Sequence, residues 1–329
     1  MNPRPADEAA IEAAAAELAA GRLVAFPTET VYGLGGDAAS AEAVAAIYRL
    51  KGRPADHPLI VHVSGAEQAR KWARWNDAAQ RLAEAFWPGP LTLILERQAE
   101  APGWACGGQA TIGLRSPSHP VARALLAAFE RLGGSGVAAP SANRFGRVSP
   151  TRASHVIDDL GDEAPLVLDG GACGVGVEST IVDLSRGRPV LLRPGGLDAA
   201  RIEAVLGVPL GAADAAAPRA SGTLEAHYAP RTPLELVPAG VIAARLGELA
   251  ARGIRAVVWS RSRPGRGEAA WEPAEAGSEA YARALYDTLR RLDRAGFDRI
   301  LIERPPDGGD WAAVADRLRR AAVGAPARD

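Results

Sequence analysis

The feature that most constrains the fold of this 329-residue chain is the alternation of short apolar runs with segments of helical periodicity. Up to about Leu197, apolar runs such as LVAF, PLIVHV, LTLIL and TIGLR are separated by helix-like segments such as AEAVAAIYRL and PVARALLAAFERLG. This pattern predicts a mixed α/β fold. The apolar runs are too irregularly spaced for a TIM barrel, and no period of roughly 20 to 50 residues repeats along the chain.

A change of composition separates this part from the rest of the chain. The segment PLGAADAAAPRASGTLEAHYAPRTP is rich in Ala, Pro and Gly and almost lacks apolar periodicity, which is typical of a linker. Beyond it, LELV, IRAVVWS and DRILIE alternate with helical segments, which predicts parallel βαβ units in a small doubly wound domain. We place the first domain at residues 7–205, the linker at 206–232 and the second domain at 233–329.

One predicted helix of the second domain is strongly amphipathic. The residues Tyr281, Leu285, Leu289 and Leu292 share one face, and the arginines lie largely on the other. Because no aromatic residues interleave with these arginines, we expect a solvated face rather than an RNA-binding stripe.

Composition and charge indicate a soluble globular protein. Hydrophobic residues make up 47% and charged residues 23%, and the formal net charge of −1 gives no general attraction to nucleic acid or anionic lipid. No apolar run reaches about 18 residues, so no membrane span is expected. Cys106 and Cys173 form neither a CxxC pair nor a disulfide framework, and the N-terminus lacks a secretion signal, which predicts a cytoplasmic protein. The N-terminal segment instead predicts a helix with Asp7 as its N-cap.

The stretch FPTETVYGLGGDA, residues 26–38, has neither the GxxxxGK[ST] nor the GxGxxG spacing, which excludes the common nucleotide-binding loops. Its three glycines either permit positive φ and a close backbone approach to a ligand, or only make a turn between a strand and a helix. The hydroxyls of Thr28, Thr30 and Tyr32 next to Glu29 predict a polar pocket. The sequence leaves open whether Glu29 and Tyr32 contact a ligand or only hold the turn.

Several charged residues stand at the ends of predicted elements. Lys51 and Arg53 close a helical segment, either as cations favoured by the helix dipole or as a pair that binds a polyphosphate. His62 lies in an apolar strand, where it is either a satisfied core residue or a ligand. Thr111 and Arg115 share one side of a strand, and Arg115 is either in a surface ion pair or a partner for a carboxylate.

Five further polar residues stand on loops or next to strands: Ser141, Asn143, Ser149, Ser179 and Arg193. Loop side chains of these types can reach a ligand, although turn chemistry alone explains most of those in the VAAPSANRFGRVSPT segment. The sequence contains no GxSxG, no HExxH and no cluster of His and Cys. We therefore expect neither a catalytic triad nor a zinc site.

Taken in order, the motifs FPTETVYGLGGDA, KGRP with LIVH, WPGPLTLIL, TIGLRSP, APSAN, ESTIVD and LLRPGG cover nearly all of residues 7–200. With them the chain resembles the Sua5/YrdC/YciO family, and SGTLEAHYAP resembles the linker motif of its two-domain Sua5 members. The resemblance implies a YrdC-like twisted, open α/β catalytic domain with a concave cavity, followed by a small Rossmann-like domain of parallel βαβ units. Ser221-Gly222 departs from the proline-glycine pair of many two-domain members.

The resemblance also implies an activity. Members of the family act as nucleotidyltransferases that join L-threonine, bicarbonate or CO2, and ATP into L-threonylcarbamoyladenylate, releasing diphosphate, for the t6A37 modification of tRNA. Implied companions are Mg²⁺ with ATP, the machinery that carries the threonylcarbamoyl group onward, and a weak contact with tRNA. The alternative is a YrdC-type module that binds tRNA or double-stranded RNA without synthase activity, which the net charge argues against.

Position by position, the resemblance implies two sets of site residues. The threonine pocket would comprise Thr30, His62, Arg115, Ser179 and the backbone near Ala139. The ATP side would comprise Lys51, Arg53, His57, Thr111, Ser141, Asn143, Ser149, Arg193 and Tyr228, with Lys51 and Arg53 as the catalytic pair and Tyr228 of the linker closing over the nucleotide. Spacing names no Mg²⁺ ligand.

Overall fold

The computed structural model describes residues 3–265 and 270–325, and within them the chain forms two compact units. Unit 1 comprises the described residues up to Phe145 together with Ser149–Thr223, and unit 2 comprises Gly146–Val148 and the described residues from Leu224 onward. The segment predicted as a linker, residues 206–232, has residues in both units, and its boundaries stay a prediction.

Unit 1 is built on one sheet. Its strands are β1 Arg4–Pro5, β2 Val24–Phe26, β3 Gly33–Asp37, β4 Ile60–His62, β5 Leu91–Glu96, β6 Thr111–Arg115, β7 Val137–Ala138, β8 Leu166–Asp169, β9 Thr180–Asp183, β10 Val190–Arg193 and β11 Gly211–Ala212. They follow the order β1-β8-β2-β3-β7-β4-β6-β5-β9-β10-β11, with parallel and antiparallel neighbours. The mixed α/β prediction is therefore confirmed for this unit.

The helices of unit 1 are α1 Glu8–Ala19, α2 Ala41–Lys51, α3 Ala66–Arg70, α4 Asp77–Phe86, α5 Pro120–Arg131, α6 Ala153–Leu160 and α7 Ala199–Leu206, and short 3₁₀ turns occupy Trp104–Cys106 and Gly161–Glu163. As predicted, Asp7 is the N-cap of α1, and its carboxylate accepts a hydrogen bond from Ala10 N at 2.8 Å. Helix α2 ends at Gly52, whose φ of 63° suits a residue without a Cβ.

The two faces of the sheet are packed differently. Leu93, Leu95 and Leu114 point into the main hydrophobic core of unit 1. Side chains alternate along a strand, so their neighbours point to the opposite face. On that face Phe26 and Val137 belong to a second hydrophobic cluster, which also contains residues of α1 and α5. Ile60 and Ile94 belong to a smaller cluster with Ile181 and Ala220. His62 and Arg115 follow core residues along their strands, so they also point to this second face.

The glycine run of FPTETVYGLGGDA is strand β3, not a turn, and none of its three glycines adopts a positive φ. Close packing explains them instead. A Cβ on Gly35 would lie 2.7 Å from a ring carbon of Phe26 and 2.8 Å from a methyl of Val137. The glycines therefore let neighbouring side chains approach the strand closely.

Unit 2 contains a four-stranded sheet of β12 Leu234–Val237, β13 Ala256–Ser260, β14 Ala270–Pro273 and β15 Arg299–Glu303, with helices α8 Ile242–Ala251, α9 Ser278–Arg294 and α10 Ala312–Gly324, and with 3₁₀ turns at Ala239–Val241 and Gly309–Trp311. The strand order is β12-β15-β13-β14 and every pairing is parallel, which confirms the predicted βαβ units.

Helix α9 buries Tyr281, Leu285, Leu289 and Leu292, as its periodicity predicts. The prediction of a solvated arginine face is wrong for Arg290, which is buried and donates to the carbonyl oxygen of Val148 within unit 2. Among the described residues, no helix has the length and apolar character needed to cross a membrane.

Candidate active site

Strand pairing brings polar side chains from distant parts of the sequence together on the face of the unit 1 sheet opposite the main core. His62 lies opposite Arg115 across the β4–β6 pair. Leu93 lies opposite Leu114 across the β5–β6 pair, which puts Thr92 next to Arg115. Because β5 also pairs with β9, this row continues toward Ser179 and the end of β10.

Arg115 is held by a carboxylate. Its Nη2 donates to Glu29 Oε1 at 2.6 Å, and both side chains are almost inaccessible to solvent. The second carboxylate oxygen of Glu29 accepts from Ser118 N at 3.0 Å. Burial raises the pKa of Glu29, but the charge of Arg115 and these hydrogen bonds outweigh it, so the pKa lies below its ordinary value.

His62 is an uncharged imidazole at neutral pH. Burial, assisted by the charge of Arg115, lowers the pKa of His62 to about 3. Its Nδ1 is buried and has no hydrogen-bond partner among the described residues. The ring meets Phe26 edge-on at a centroid distance of 6.2 Å. This side chain therefore offers a ring nitrogen, not a charge, to a ligand.

Thr30 is buried in the loop before β3. Its hydroxyl lies 2.8 Å from the hydroxyl of Thr28, which in turn donates to the carbonyl of Val31 at 2.7 Å. Tyr32 points elsewhere, because its hydroxyl donates to Gly171 O at 2.8 Å. The backbone N–H of Ala139 is used within the sheet, where it donates to Ile60 O at 2.9 Å.

Arg193 and Arg53 converge on two serines. The Ser179 hydroxyl lies 2.8 Å from that of Thr92, and Arg193 Nη2 donates to Ser179 O at 2.8 Å. Arg193 Nη1 also donates to Ser221 O at 2.6 Å. Arg53 Nη2 donates to Pro58 O at 2.9 Å and makes a longer contact of 3.4 Å with Ser221 Oγ. Backbone carbonyls therefore orient both guanidinium groups.

Lys51 connects α2 to the loop after β7. Its ammonium group donates to Ser141 O at 2.6 Å and to Asn143 O at 2.5 Å. Burial, together with the charge of Arg53, lowers the pKa of Lys51 well below its ordinary value. A bound anion would stabilise the charged form of this buried ammonium group, because the surrounding carbonyls offset only part of its desolvation.

Two other predicted residues have side-chain partners nearby. Ser149 donates to Glu178 Oε1 at 2.7 Å in the interior of unit 1. The ring of His57 packs edge-on against Phe145 at 5.6 Å, and the guanidinium of Arg53 lies 5.7 Å from the same ring. Burial and the charge of Arg53 lower the pKa of His57.

Thr111 is the first residue of β6 and lines a cavity of about 480 Å³. Other residues that line it include Glu96, Arg97, Ser185 and Arg186. Thr111 and Arg115 lie four residues apart in β6, so their side chains point to the same face of the strand.

Tyr228 belongs to unit 2. Its ring is buried, stacks on Tyr286 at a centroid distance of 5.7 Å and lies under the guanidinium of Arg317 at 5.2 Å. Its φ of 62° is unusual for a residue other than glycine. Unit 1 therefore holds the other predicted site residues without it.

The structure adds Glu178 and Thr92 to the predicted residues, and it gives Glu29, whose role the sequence leaves open, a partner. Glu29 and Glu178 each hold a predicted residue through a carboxylate, and Thr92 contacts the hydroxyl of Ser179. A signal for Thr92 is present in the sequence, because it is the polar member of the otherwise apolar run LTLIL. Glu178 precedes two hydroxyl residues in ESTIVD, yet nothing in that run indicates its partner.

Comparisons with known proteins find relatives along nearly the whole chain. A model of the Sua5, YciO and YrdC family, described as "Telomere recombination", matches residues 16–195, and one described as "Threonylcarbamoyl-AMP synthase, C-terminal domain" matches residues 197–323. The threonylcarbamoyl-AMP synthase of Pyrococcus abyssi (strain GE5 / Orsay) is 40% identical, covering 96% of this chain and 94% of the relative. That of Bacillus subtilis (strain 168) is 40% identical, covering 95% and 93%.

Solved structures give the same picture. The crystal structure of P. abyssi Sua5 complexed with L-threonine matches with a TM-score of 0.87 and 39% identity, covering 95% of this chain and 94% of that chain. E. coli YciO matches with a TM-score of 0.51 and 26% identity, covering 59% of this chain and 92% of its own. The chain therefore belongs to the Sua5/YciO/YrdC family.

Proposed function

We propose that this protein is an L-threonylcarbamoyladenylate synthase, which condenses L-threonine, bicarbonate or CO2, and ATP and releases diphosphate. The observation that carries the proposal is the burial of four basic side chains in unit 1: Lys51, Arg53, Arg115 and Arg193. The near full-length similarity to two curated threonylcarbamoyl-AMP synthases supports it.

The amino-acid end of the site consists of Glu29, Thr30, His62 and Arg115. Arg115 binds the carboxylate of threonine, for which a planar guanidinium is well shaped. The hydroxyl of Thr30 and the neutral ring of His62 lie in the buried surroundings where a hydroxyl-bearing side chain needs hydrogen-bond partners. Ser179 and the backbone near Ala139 complete this end.

The phosphate end consists of Lys51, Arg53 and Arg193. These cations bind the phosphates of ATP and offset the negative charge that develops on the departing diphosphate. The remaining predicted residues of unit 1 would surround the nucleotide: His57, Thr111, Ser141, Asn143 and Ser149. Lys51 and Arg53 act as the catalytic pair.

The reaction needs no covalent enzyme intermediate. Threonine reacts through its amino group with bicarbonate, forming an N–C bond and releasing water and a proton, which gives a carbamate. A carbamate oxygen then attacks the α-phosphorus of ATP, and the bond to the bridging oxygen breaks as diphosphate leaves with the electron pair. Positioning and charge stabilisation dominate such transfers, which explains the lack of a nucleophile motif.

Mg²⁺ enters this proposal as the companion of ATP. Among the described residues, no three side chains of His, Cys, Asp or Glu converge on a point that could hold a metal. Mg²⁺ at nucleotide sites is commonly held by phosphate oxygens, waters and one or two carboxylates.

The product supplies the threonylcarbamoyl group of t6A37 in tRNA, so the protein hands an adenylate to a downstream transferase machinery. A direct contact with tRNA is at most weak, given the net charge of −1. We place the reaction in the cytoplasm. In support, Cys106 and Cys173 are buried free thiols.

The test is diphosphate release by the purified full-length protein. We expect release from ATP only when both threonine and bicarbonate are present. Equal release with serine, or with water alone, would contradict the assignment. Salt-dependent binding of tRNA without threonine-dependent turnover would instead favour the RNA-binding alternative.

A further inference from the structure

We infer that Glu29 is the positioning residue of the amino-acid end: its carboxylate sets the orientation in which the Arg115 guanidinium receives the carboxylate of threonine. This inference rests on the proposed function and concerns a residue that does not itself need to touch the substrate.

Glu29 holds Arg115 and the backbone beyond it in place through both of its carboxylate oxygens. One carboxylate oxygen accepts from Arg115 Nη2 at 2.6 Å, and the other accepts from Ser118 N at 3.0 Å, three residues beyond that arginine. The carboxylate thus bridges the side chain at the end of β6 and the backbone that follows it. Its own backbone carbonyl accepts from Val175 N at 2.7 Å, which anchors the loop that carries it.

The contact with Glu29 leaves the guanidinium of Arg115 able to bind a second carboxylate. Besides the bond to Glu29, the guanidinium makes one other hydrogen bond within the described residues, a long one of 3.4 Å from Nε to Gly89 O. Nη1 has no partner among those residues. A guanidinium held at one terminal nitrogen retains N–H groups for a second carboxylate, and its plane is already fixed.

Fixing that plane matters because an arginine side chain is long and has many rotamers. An unbraced Arg115 would have to lose this freedom each time threonine bound, which weakens affinity. The same short loop also carries Thr30, whose hydroxyl is tied to Thr28 at 2.8 Å. The TET run therefore orients both Arg115 and a hydroxyl of the amino-acid end.

Three variants of the full-length protein test this role: Glu29→Gln, Glu29→Asp and Glu29→Ala. Gln keeps the size of the side chain but removes the charge, and its amide offers one acceptor oxygen to the two donors, Arg115 Nη2 and Ser118 N. Asp keeps the charge one methylene short of its partners. Glu235→Gln is the matched control, since Glu235 of unit 2 forms a two-bond pair with Arg245 at 2.8 and 2.9 Å and has no part in the site.

Calorimetric titration with threonine is the primary measurement, with KM for threonine and for ATP, kcat and the melting temperature measured alongside. We expect Glu29→Gln to weaken threonine binding roughly 10- to 100-fold, as for the loss of a charge-assisted hydrogen bond. KM for ATP should stay within about 3-fold, Glu29→Asp should recover part of the affinity, and Glu235→Gln should bind threonine normally.

Two results would overturn the inference: unchanged threonine affinity in Glu29→Gln and Glu29→Ala, or equal losses for threonine and ATP with a lowered melting temperature. A wild-type protein that binds no threonine would overturn it as well. Failure of the proposed function looks different. In that case the wild type would show no threonine-dependent diphosphate release, while the calorimetric comparison of Glu29→Gln with wild type still decides the role of Glu29.

Discussion

The amino-acid end and the phosphate end of the site hold their cations in opposite ways. Arg115 is bound by the carboxylate of Glu29, so its charge is matched within the protein. Lys51 instead donates to the backbone carbonyls of Ser141 and Asn143, which orient its ammonium group but carry no full negative charge. The difference shows that a buried cation can be fixed in place either by a charged partner or by neutral carbonyl groups.

These two arrangements match the charges of the proposed substrates. Threonine at neutral pH is a zwitterion without net charge, and Glu29, Arg115 and the uncharged ring of His62 also sum to zero. ATP is a polyanion, and the proposed phosphate end contains three basic side chains, Lys51, Arg53 and Arg193. The carboxylate of Glu178 accepts a hydrogen bond from Ser149, which the proposal places beside the nucleotide.

The largest effect is expected from Lys51→Met, which removes the charge and both carbonyl contacts while keeping most of the side-chain volume. We expect kcat/KM for ATP to fall roughly 10²- to 10³-fold, as for the loss of one preorganised donor to a developing charge. Steady-state kinetics at saturating threonine measures it. The chain's other lysine, exposed Lys71, provides the control Lys71→Met, which should leave kcat/KM unchanged. Near-normal turnover in Lys51→Met would contradict the claim that the charge of Lys51 acts on the phosphates of ATP.

A smaller effect concerns stability and tests the neutrality of the amino-acid end. The pKa of His62 is lowered to about 3 in the folded protein, against an ordinary value of 6.5. As pH falls from about 6.5 to 3, the unfolded chain binds a proton that the folded protein refuses, so this group lowers the free energy of unfolding by about 1.4 kcal/mol per pH unit. Urea unfolding at several pH values in this range measures the free energy of unfolding, which should depend less steeply on pH in His62→Gln than in the wild type. An identical pH dependence in the two proteins would mean that the pKa of His62 is not lowered by folding.

The smallest effect is expected at Ser221, where many two-domain relatives have proline. Its hydroxyl contacts Arg53 at 3.4 Å, whereas its carbonyl binds Arg193 at 2.6 Å and survives substitution. A hydrogen bond of that length is weak. We expect Ser221→Ala to change KM for ATP by less than about 3-fold. A much larger increase would mean that the hydroxyl, not the carbonyl, orients the phosphate end.

Much of the fold could be predicted from periodicity, because strands such as LTLIL and helices such as α1 combine a clear apolar pattern with an end signal at Asp7. The glycine run cannot be predicted in this way, since glycine serves both turns and close strand packing, and only the neighbouring Phe26 and Val137 decide between them. The burial of Arg290 is not predictable from its helix either, because its partner Val148 lies far away in the sequence.

For the site, the sequence indicated residue types but not their partners. Glu29 and Arg115 lie 86 positions apart, and Lys51 lies 90 positions from Ser141. Such contacts follow from strand order and loop path, which local patterns do not specify. The sequence therefore indicates that Glu29 lies in a pocket but does not indicate its role. The carbonyl partners of the cations are not predictable from the sequence.

Calorimetric titration of threonine and of ATP, each into Arg115→Ala and Arg193→Ala, tests most directly the claim that the two ends bind different substrates. We predict that Arg115→Ala loses the heat of threonine binding and retains that of ATP, and that Arg193→Ala retains threonine binding and loses most of the ATP affinity. Threonine binding that persists in Arg115→Ala, or loss of both ligands in either variant, would contradict the account.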